Sequence, residues 1–166
     1  MIFRKLQMRN VRSHEDSTIT FSDGFNCVVG GVGAGKTSIL LTLHFAFYGE
    51  PLYRSYEYLM RENKNRAYIS VEFEQSNKKY KINRSLKRER GKITQDSSEL
   101  RLFEEEKLIA WGKTAAVQEH LQVLTGLDKK MYEEFIWIQQ EKLKSILNMT
   151  PRQRQEILDE FFGFAN

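Results

Sequence analysis

A single cysteine, Cys27, stands in this chain of 166 residues. One thiol cannot close an internal disulfide, so a disulfide scaffold is excluded and an intracellular protein is expected, in the cytoplasm or nucleoid, or in the nucleus of a eukaryote. The histidines, His14, His44 and His120, are scattered and lack metal-ligand spacing. No apolar run is long enough to span a bilayer as a helix, so no membrane partner is expected. The opening MIFRKLQMRN has neither the apolar core nor the cleavage site of a secretory signal. Internal repeats and low-complexity segments are also missing. No Asn-Lys-x-Asp guanine-reading motif occurs. Asn63-Lys64-Asn65-Arg66 comes nearest and lacks the Asp.

What is present is a globular composition, 40% hydrophobic and 29% charged, with a net charge of +4. That charge mildly favours a polyanionic partner. The length suits one domain with a real core. The most informative stretch is Gly30-Gly31-Val32-Gly33-Ala34-Gly35-Lys36-Thr37. It has two glycines, Gly30 and Gly35, with four residues between them, then Lys and Thr, the pattern of a phosphate-binding loop. Glycines let the backbone turn its N–H groups inward around a triphosphate. Lys36 then sets a positive charge at the β- and γ-phosphates, and the Thr37 hydroxyl suits Mg²⁺. Phe25 to Val29 reads as a buried strand entering the loop. Thr37 to Phe47 is apolar almost all round and reads as a buried helix leaving it. The helix N-terminus would direct a partial positive charge at the phosphates.

Around this centre the chain reads as strands, then helices. Ile2 to Met8 alternates as a half-buried strand, Asn10 to His14 is a polar turn, and Thr18 to Phe21 is a second strand. After Gly49-Glu50-Pro51, residues 53–66 read as a loop. Ala67 to Glu74 alternates strictly. Ser76 to Lys79 turns the chain into a strand over Tyr80 to Arg84. Glu99 to Phe103 and Lys107 to Trp111 form a second hairpin around Glu104-Glu105-Glu106, so this half of the sheet should be antiparallel. From Thr114 the period becomes helical, with Ala116, Val117, Leu121 and Leu124 on one face and Gly126 as the stop. Asp128 caps a short helix through Phe135. Thr150-Pro151-Arg152-Gln153 opens a last helix with a capping box.

Four features together resemble a known family: the opening strand with Asn10-Val11-Arg12-Ser13-His14, the phosphate loop, Phe135-Ile136-Trp137-Ile138-Gln139, and the closing helix from Arg152 to Phe164. The chain resembles the N-terminal half of the ATP-binding-cassette head of the DNA double-strand-break repair ATPases. These are long coiled-coil proteins that work with a repair nuclease. SbcC is the bacterial counterpart, and the structural-maintenance-of-chromosomes proteins are wider relatives. The resemblance implies ATP and Mg²⁺ as cofactors. It lines the nucleotide with Gly31, Val32, Gly33, Ala34, Gly35, Lys36, Thr37 and Ser38, with Arg12 and Ser13 flanking the phosphates and Asn63, Lys64 and Asn65 near the base. Lys36 and Gln139 carry the catalytic contacts, and Thr37 and Gln139 the metal. Two positions depart from the family. Val32 stands where Asn is usual, and Gln140 follows Gln139 where Gly is usual. Either glutamine could face the metal, and the register favours Gln139.

Some family parts are absent. No Leu-Ser-Gly-Gly-type signature, strand-borne Asp-Glu pair or switch histidine occurs. Ile157-Leu158-Asp159-Glu160 mimics the carboxylate motif, but Gln155 and Glu156 precede it inside a capped helix. The expectation is therefore one lobe of a composite site over residues 1–166. Its expected partners are the C-terminal lobe of the same ATPase, a second head in a homodimer, the break-repair nuclease subunit and double-stranded DNA. The developing phosphoryl charge must be surrounded on all sides, and one lobe covers one side. For DNA, the basic run from Lys78 to Lys92 offers Lys79, Lys81, Arg84, Lys87, Arg88 and Arg90; its plainer reading is a solvated hairpin face.

The fold class expected is α/β: a P-loop NTPase, the N-terminal lobe of an ABC-type ATPase head, with a mixed sheet and antiparallel hairpins. Rival functions are a self-contained small P-loop NTPase or kinase, a transporter-type ABC ATPase, and a non-catalytic nucleotide-sensing scaffold. The kinase would need its own carboxylate and lid arginines. The transporter type carries its glutamine and signature much sooner after the loop.

Overall fold

Apolar side chains at every second position give each strand one face for the core, and the ladder follows from that alternation. A computed structural model describes residues 2–20, 34–50, 55–126 and 130. Strands β1 (Ile2–Val11), β2 (His14–Thr20), β3 (Arg66–Gln75), β4 (Lys78–Glu89), β5 (Lys92–Gln95), β6 (Arg101–Glu104) and β7 (Lys107–Trp111) form one sheet with two helices, α1 (Ala34–Tyr48) and α2 (Thr114–Thr125). The order is β2-β1-β3-β4-β6-β7, with β5 also paired to β4. Every pairing among the described residues is antiparallel. The mixed sheet expected above would need the Phe25–Val29 segment, which lies outside the described residues.

One sheet face buries Leu6 and Met8 of β1, Ile69, Val71 and Phe73 of β3, and Ile82 and Leu86 of β4. Against them packs α1, whose Ile39, Leu41, Leu43, Phe45 and Phe47 are all buried. This helix is apolar all round and needs cover on every side, as its sequence requires. Phe47 meets Phe3 at 5.8 Å and Phe73 at 5.1 Å between ring centroids, fixing helix to sheet by interlocking aromatics. The opposite face is polar. Arg4–Glu74 and Arg9–Asp16 pair across neighbouring strands at 3.2 Å and 3.7 Å. These exposed pairs are each worth about 0.2–1 kcal/mol.

The turns are tighter than the sequence reading. The first is only Arg12–Ser13, because Val11 pairs with His14 in the ladder and also bridges Met60. The β3–β4 turn is only Ser76–Asn77, both at positive φ (53° and 63°), which suits the twist of a two-residue hairpin. β4 runs five residues past Arg84, the end expected for it, because residues 85–87 continue the ladder with β3 and residues 86–89 pair with β5. The expected loop over 53–66 contains one 3-10 turn, Tyr56–Tyr58, capped by the Ser55 hydroxyl. α2 behaves as expected: Val117 and Leu121 are buried, and Gly126 ends the helix at φ 71°.

β5 and β6 lie end to end along β4. Gln95 pairs with Leu86, and Arg101 pairs with Asn83. Residues 96–100 form an excursion between them opposite Arg84 and Ser85. The Asp96 N–H donates to Ser85 O at 2.9 Å, and the Asp96 carboxylate caps the short turn Ser97–Glu99. The Asp128 cap, the 135–139 segment and the closing helix lie outside the described residues. No helix among the described residues is long and apolar enough to cross a membrane.

Candidate nucleotide site

The helix begins at Ala34, directly after the glycine run. Its first turn therefore comprises Ala34, Gly35, Lys36 and Thr37. The N–H groups of a first helical turn have no partner within the helix, and they face whatever precedes it. A glycine-rich segment leading into such a turn is an anion-binding arrangement. Gly31, Val32, Gly33 and Gln139 lie outside the described residues. Ser38 is buried, and its carbonyl accepts the Thr42 hydroxyl at 2.6 Å. Thr42 is thus satisfied inside an otherwise apolar helix.

Arg12 and Ser13 form the β1–β2 turn. Arg12 takes φ 51°, unusual for a residue with a side chain. Its N–H donates to Leu59 O at 2.7 Å and its guanidinium to Tyr58 O at 3.1 Å. From the other side, the Arg61 guanidinium donates to Ser13 O at 2.8 Å, and the Arg61 N–H to Asn10 O at 2.8 Å. The turn is thereby tied to residues 58–61, and only one Arg12 nitrogen is committed to Tyr58. Ser13 is exposed. His14 is buried, with Nδ1 3.0 Å from the Ser17 hydroxyl. Burial, and then the charge of Arg12, lower its pKa from 6.5, so the ring is neutral at pH 7 and structural.

Asn63, Lys64 and Asn65 are exposed and sit one step further along the same segment. Arg88 of β4 anchors them. Its N–H donates to Asn65 O at 2.8 Å and its Nε to Lys64 O at 3.1 Å. Asn63 and Asn65 line an open cleft of about 660 Å³ with Glu57, Met60, Glu62 and Arg88. Sequence reading missed Tyr58, Arg61 and the anchoring part of Arg88. No motif links Arg61 to a turn 48 residues earlier. Only the fold brings them together.

The proposed DNA cations do not share one face. Arg84 has to be withdrawn from the set: it is 1% exposed and cannot reach a phosphate backbone. Its Nε donates to Ala46 O at 2.7 Å, Nη1 to Gln95 Oε1 at 3.2 Å and Nη2 to Gln118 Oε1 at 2.7 Å. Burial lowers its pKa to about 9, still above neutral, so the guanidinium stays charged at pH 7. Two others are paired with carboxylates, Lys87 with Glu89 at 3.7 Å and Arg88 with Glu57 at 3.7 Å. Lys81 lies 6.0 Å from the Phe103 ring centre. Lys79 and Arg90 are exposed.

A buried helix that follows a glycine-rich phosphate-loop sequence, seated on an antiparallel sheet, is the architecture of an ABC-type P-loop ATPase lobe. The solved structure of the recombination mediator protein RecF-ATP shares this fold. Its TM-score is 0.51 at 14% identity, covering 71% of this chain and 30% of that one. The chain belongs to the AAA domain family, which matches residues 5–163. It is 31% identical over 170 residues to the DNA double-strand break repair Rad50 ATPase of Methanopyrus kandleri, covering 99% of this chain and 19% of that protein. It is 30% identical over 167 residues to the protein of the same name from Nanoarchaeum equitans, covering 100% of this chain and 21% of that protein. The resemblance seen in the motifs is therefore borne out, and this chain spans less than a quarter of either relative.

Proposed function

We propose that this chain is the Mg-ATP-binding N-terminal lobe of a DNA double-strand-break repair ATPase. The observation that carries the reading is the start of α1 at Ala34, immediately after the glycine run, with the helix body buried against the sheet. First-turn N–H groups and Lys36 suit a triphosphate, and the Thr37 hydroxyl suits a hard cation. When bound, the metal neutralises charge on the β- and γ-phosphates. The chain's own contribution is to bind and orient. Gly31 to Ser38 line the phosphates, Arg12 and Ser13 flank them, Asn63 to Asn65 approach the base, and Gln139 completes the metal and water contacts.

This lobe lacks the carboxylate and signature motifs in its sequence, so hydrolysis needs the C-terminal lobe and a second head. Nucleotide binding then joins heads and hydrolysis releases them, a switch that double-stranded DNA and a nuclease subunit can read. An intracellular location follows from that role.

The test is Mg²⁺-dependent ATP hydrolysis by this chain alone and mixed with the C-terminal half of the full protein. Turnover only on mixing is the expected result; turnover by the chain alone overturns the composite site. Lys36→Ala is expected to abolish ATP binding and keep the fold. Micromolar ATP binding in that variant counts against the phosphate-loop reading.

A further inference from the structure

Arg84 is a cation sealed in the core, and among the described residues no carboxylate pairs with it. Taking a charge out of water without a counter-ion is costly. If the site needed only volume, an apolar side chain would fill it at less cost. Arg84 instead places a charge where it meets the rear of α1. The last carbonyls of a helix carry its negative pole, and Ala46 O is among them.

The grip is built from several directions. The guanidinium reaches three elements at once: α1 through Ala46 O, β5 through Gln95 and α2 through Gln118. Behind it the chain leaves α1 through Gly49 at φ 67°, where a Cβ would collide with Arg84 Nη1. The Gly49 carbonyl in turn accepts the Tyr56 hydroxyl at 2.6 Å, and also the Gln95 amide. Helix exit, guanidinium and both glutamines therefore form one closed polar cluster.

Apolar packing has no preferred direction. The apolar flanks of α1, with Phe47 set against Phe3 and Phe73, hold it on the sheet. The hydrogen bond to Ala46 O adds a directional hold at its rear, along the helix axis. From Ala46 back to Ala34 the helix runs twelve residues, so its front end stands about 18 Å ahead of the grip. A rigid helix carries an axial shift from one end to the other.

We propose that Arg84 is a positioning residue for the nucleotide site: it holds the rear of the phosphate-loop helix, together with β5 and α2, and so fixes where the front turn meets the phosphates. This rests on the reading that the loop before α1 binds ATP.

The experiment uses the full-length ATPase with Arg84→Met, Arg84→Lys, Gln118→Leu and Lys36→Ala. Displacement of reacting groups by about 1 Å can cost on the order of a hundredfold, so Arg84→Met should raise KM for ATP at least about tenfold in protein that still melts cooperatively. Arg84→Lys should recover part of that loss, since it keeps a charge at Ala46 O but cannot span three partners. Should Arg84→Met fail to fold, Gln118→Leu decides the matter: it removes one arm of the grip, and KM should rise about two- to fivefold. A lowered melting temperature with unchanged KM in the folded variants makes Arg84 a packing residue and overturns the proposal. Lys36→Ala separates the two readings. If it loses ATP while the Arg84 and Gln118 variants match the parent, only the positioning role fails. If it keeps ATP, the nucleotide reading itself fails.

Discussion

The Arg61 guanidinium donates to the backbone oxygen of Ser13 at 2.8 Å and reaches Glu15 at 3.4 Å. One side chain thus holds the tight turn that presents Arg12, whose φ of 51° is not a conformation the residue would choose alone. Arg61→Ala should lower stability by about 1 kcal/mol in urea unfolding, the typical net worth of such a bond. It should also weaken ATP binding, because the turn loses one of its ties. Arg61→Lys should restore little, since a point charge cannot bridge carbonyl and carboxylate as the planar group does. ATP titration of an equally folded Arg61→Ala protein with parental affinity would remove Arg12 and Ser13 from the site.

Gly49→Ala should be among the most damaging small substitutions. The added methyl collides with Arg84 Nη1, and φ 67° is strained for any side chain. The backbone term alone costs about 1–2 kcal/mol. Thermal melting of Gly49→Ala beside Gly91→Ala separates the terms, because Gly91 has φ 75° and a methyl there would meet nothing within 4 Å. The excess loss at Gly49 measures the displaced arginine; equal losses would mean that the clash relaxes freely.

Asp96 caps the excursion between β5 and β6, accepting from the Ser98 hydroxyl at 2.6 Å and from Arg66 Nη1 at 2.7 Å. The Ser98 hydroxyl first, and then Arg66, hold its carboxyl at about 2, below the usual 3.8. The folded state therefore binds its proton less readily than the unfolded chain. Its stabilisation is complete above about pH 4 and is lost as pH falls from 3.8 towards 2. Asp96→Asn should remove that part of the acid dependence and cost about 1–3 kcal/mol at pH 7. Unfolding curves at pH 7 and pH 2.5 check this; the gap between parent and variant should narrow at the lower pH.

For DNA, the variants to make are charge reversals at Lys79, Lys87 and Arg90. Arg88 is a poor choice because its Nε also secures Lys64 O. Affinity of the assembled head for duplex DNA should fall, with a log–log salt slope shallower by about 0.9 for each phosphate that is no longer neutralised. An unchanged slope at low salt would place DNA elsewhere.

Residues 67–74 revealed their strand because Ile69, Val71 and Phe73 alternate with polar neighbours, and the structure buries those three. The phosphate-loop helix was legible because TSILLTLHFAF has no polar face to leave in water. β5 was not legible, since four residues, Lys-Ile-Thr-Gln, carry too little pattern. The role of Arg84 was hidden for a different reason. A basic residue among basic residues reads as surface, and only the approach of the α1 carboxyl end turns that position into a site for a buried charge. The ties among Arg12, Tyr58 and Arg61 depend on residues far apart in the chain, which no local period encodes.

The excursion over 96–100 also has a consequence for how the sheet forms. Two residues of β4 face five of the returning chain, like a wedge driven into a zip. A hairpin of uniform strands can slip by a step and pair again, whereas this one cannot. A one-residue slide of β5 along β4 would carry Asp96 off Ser85 and turn Ile93 outward to water, and the same slide of β6 would turn Leu102 outward. The irregular segment therefore acts as an indexing mark, leaving the sheet one alignment in which to close.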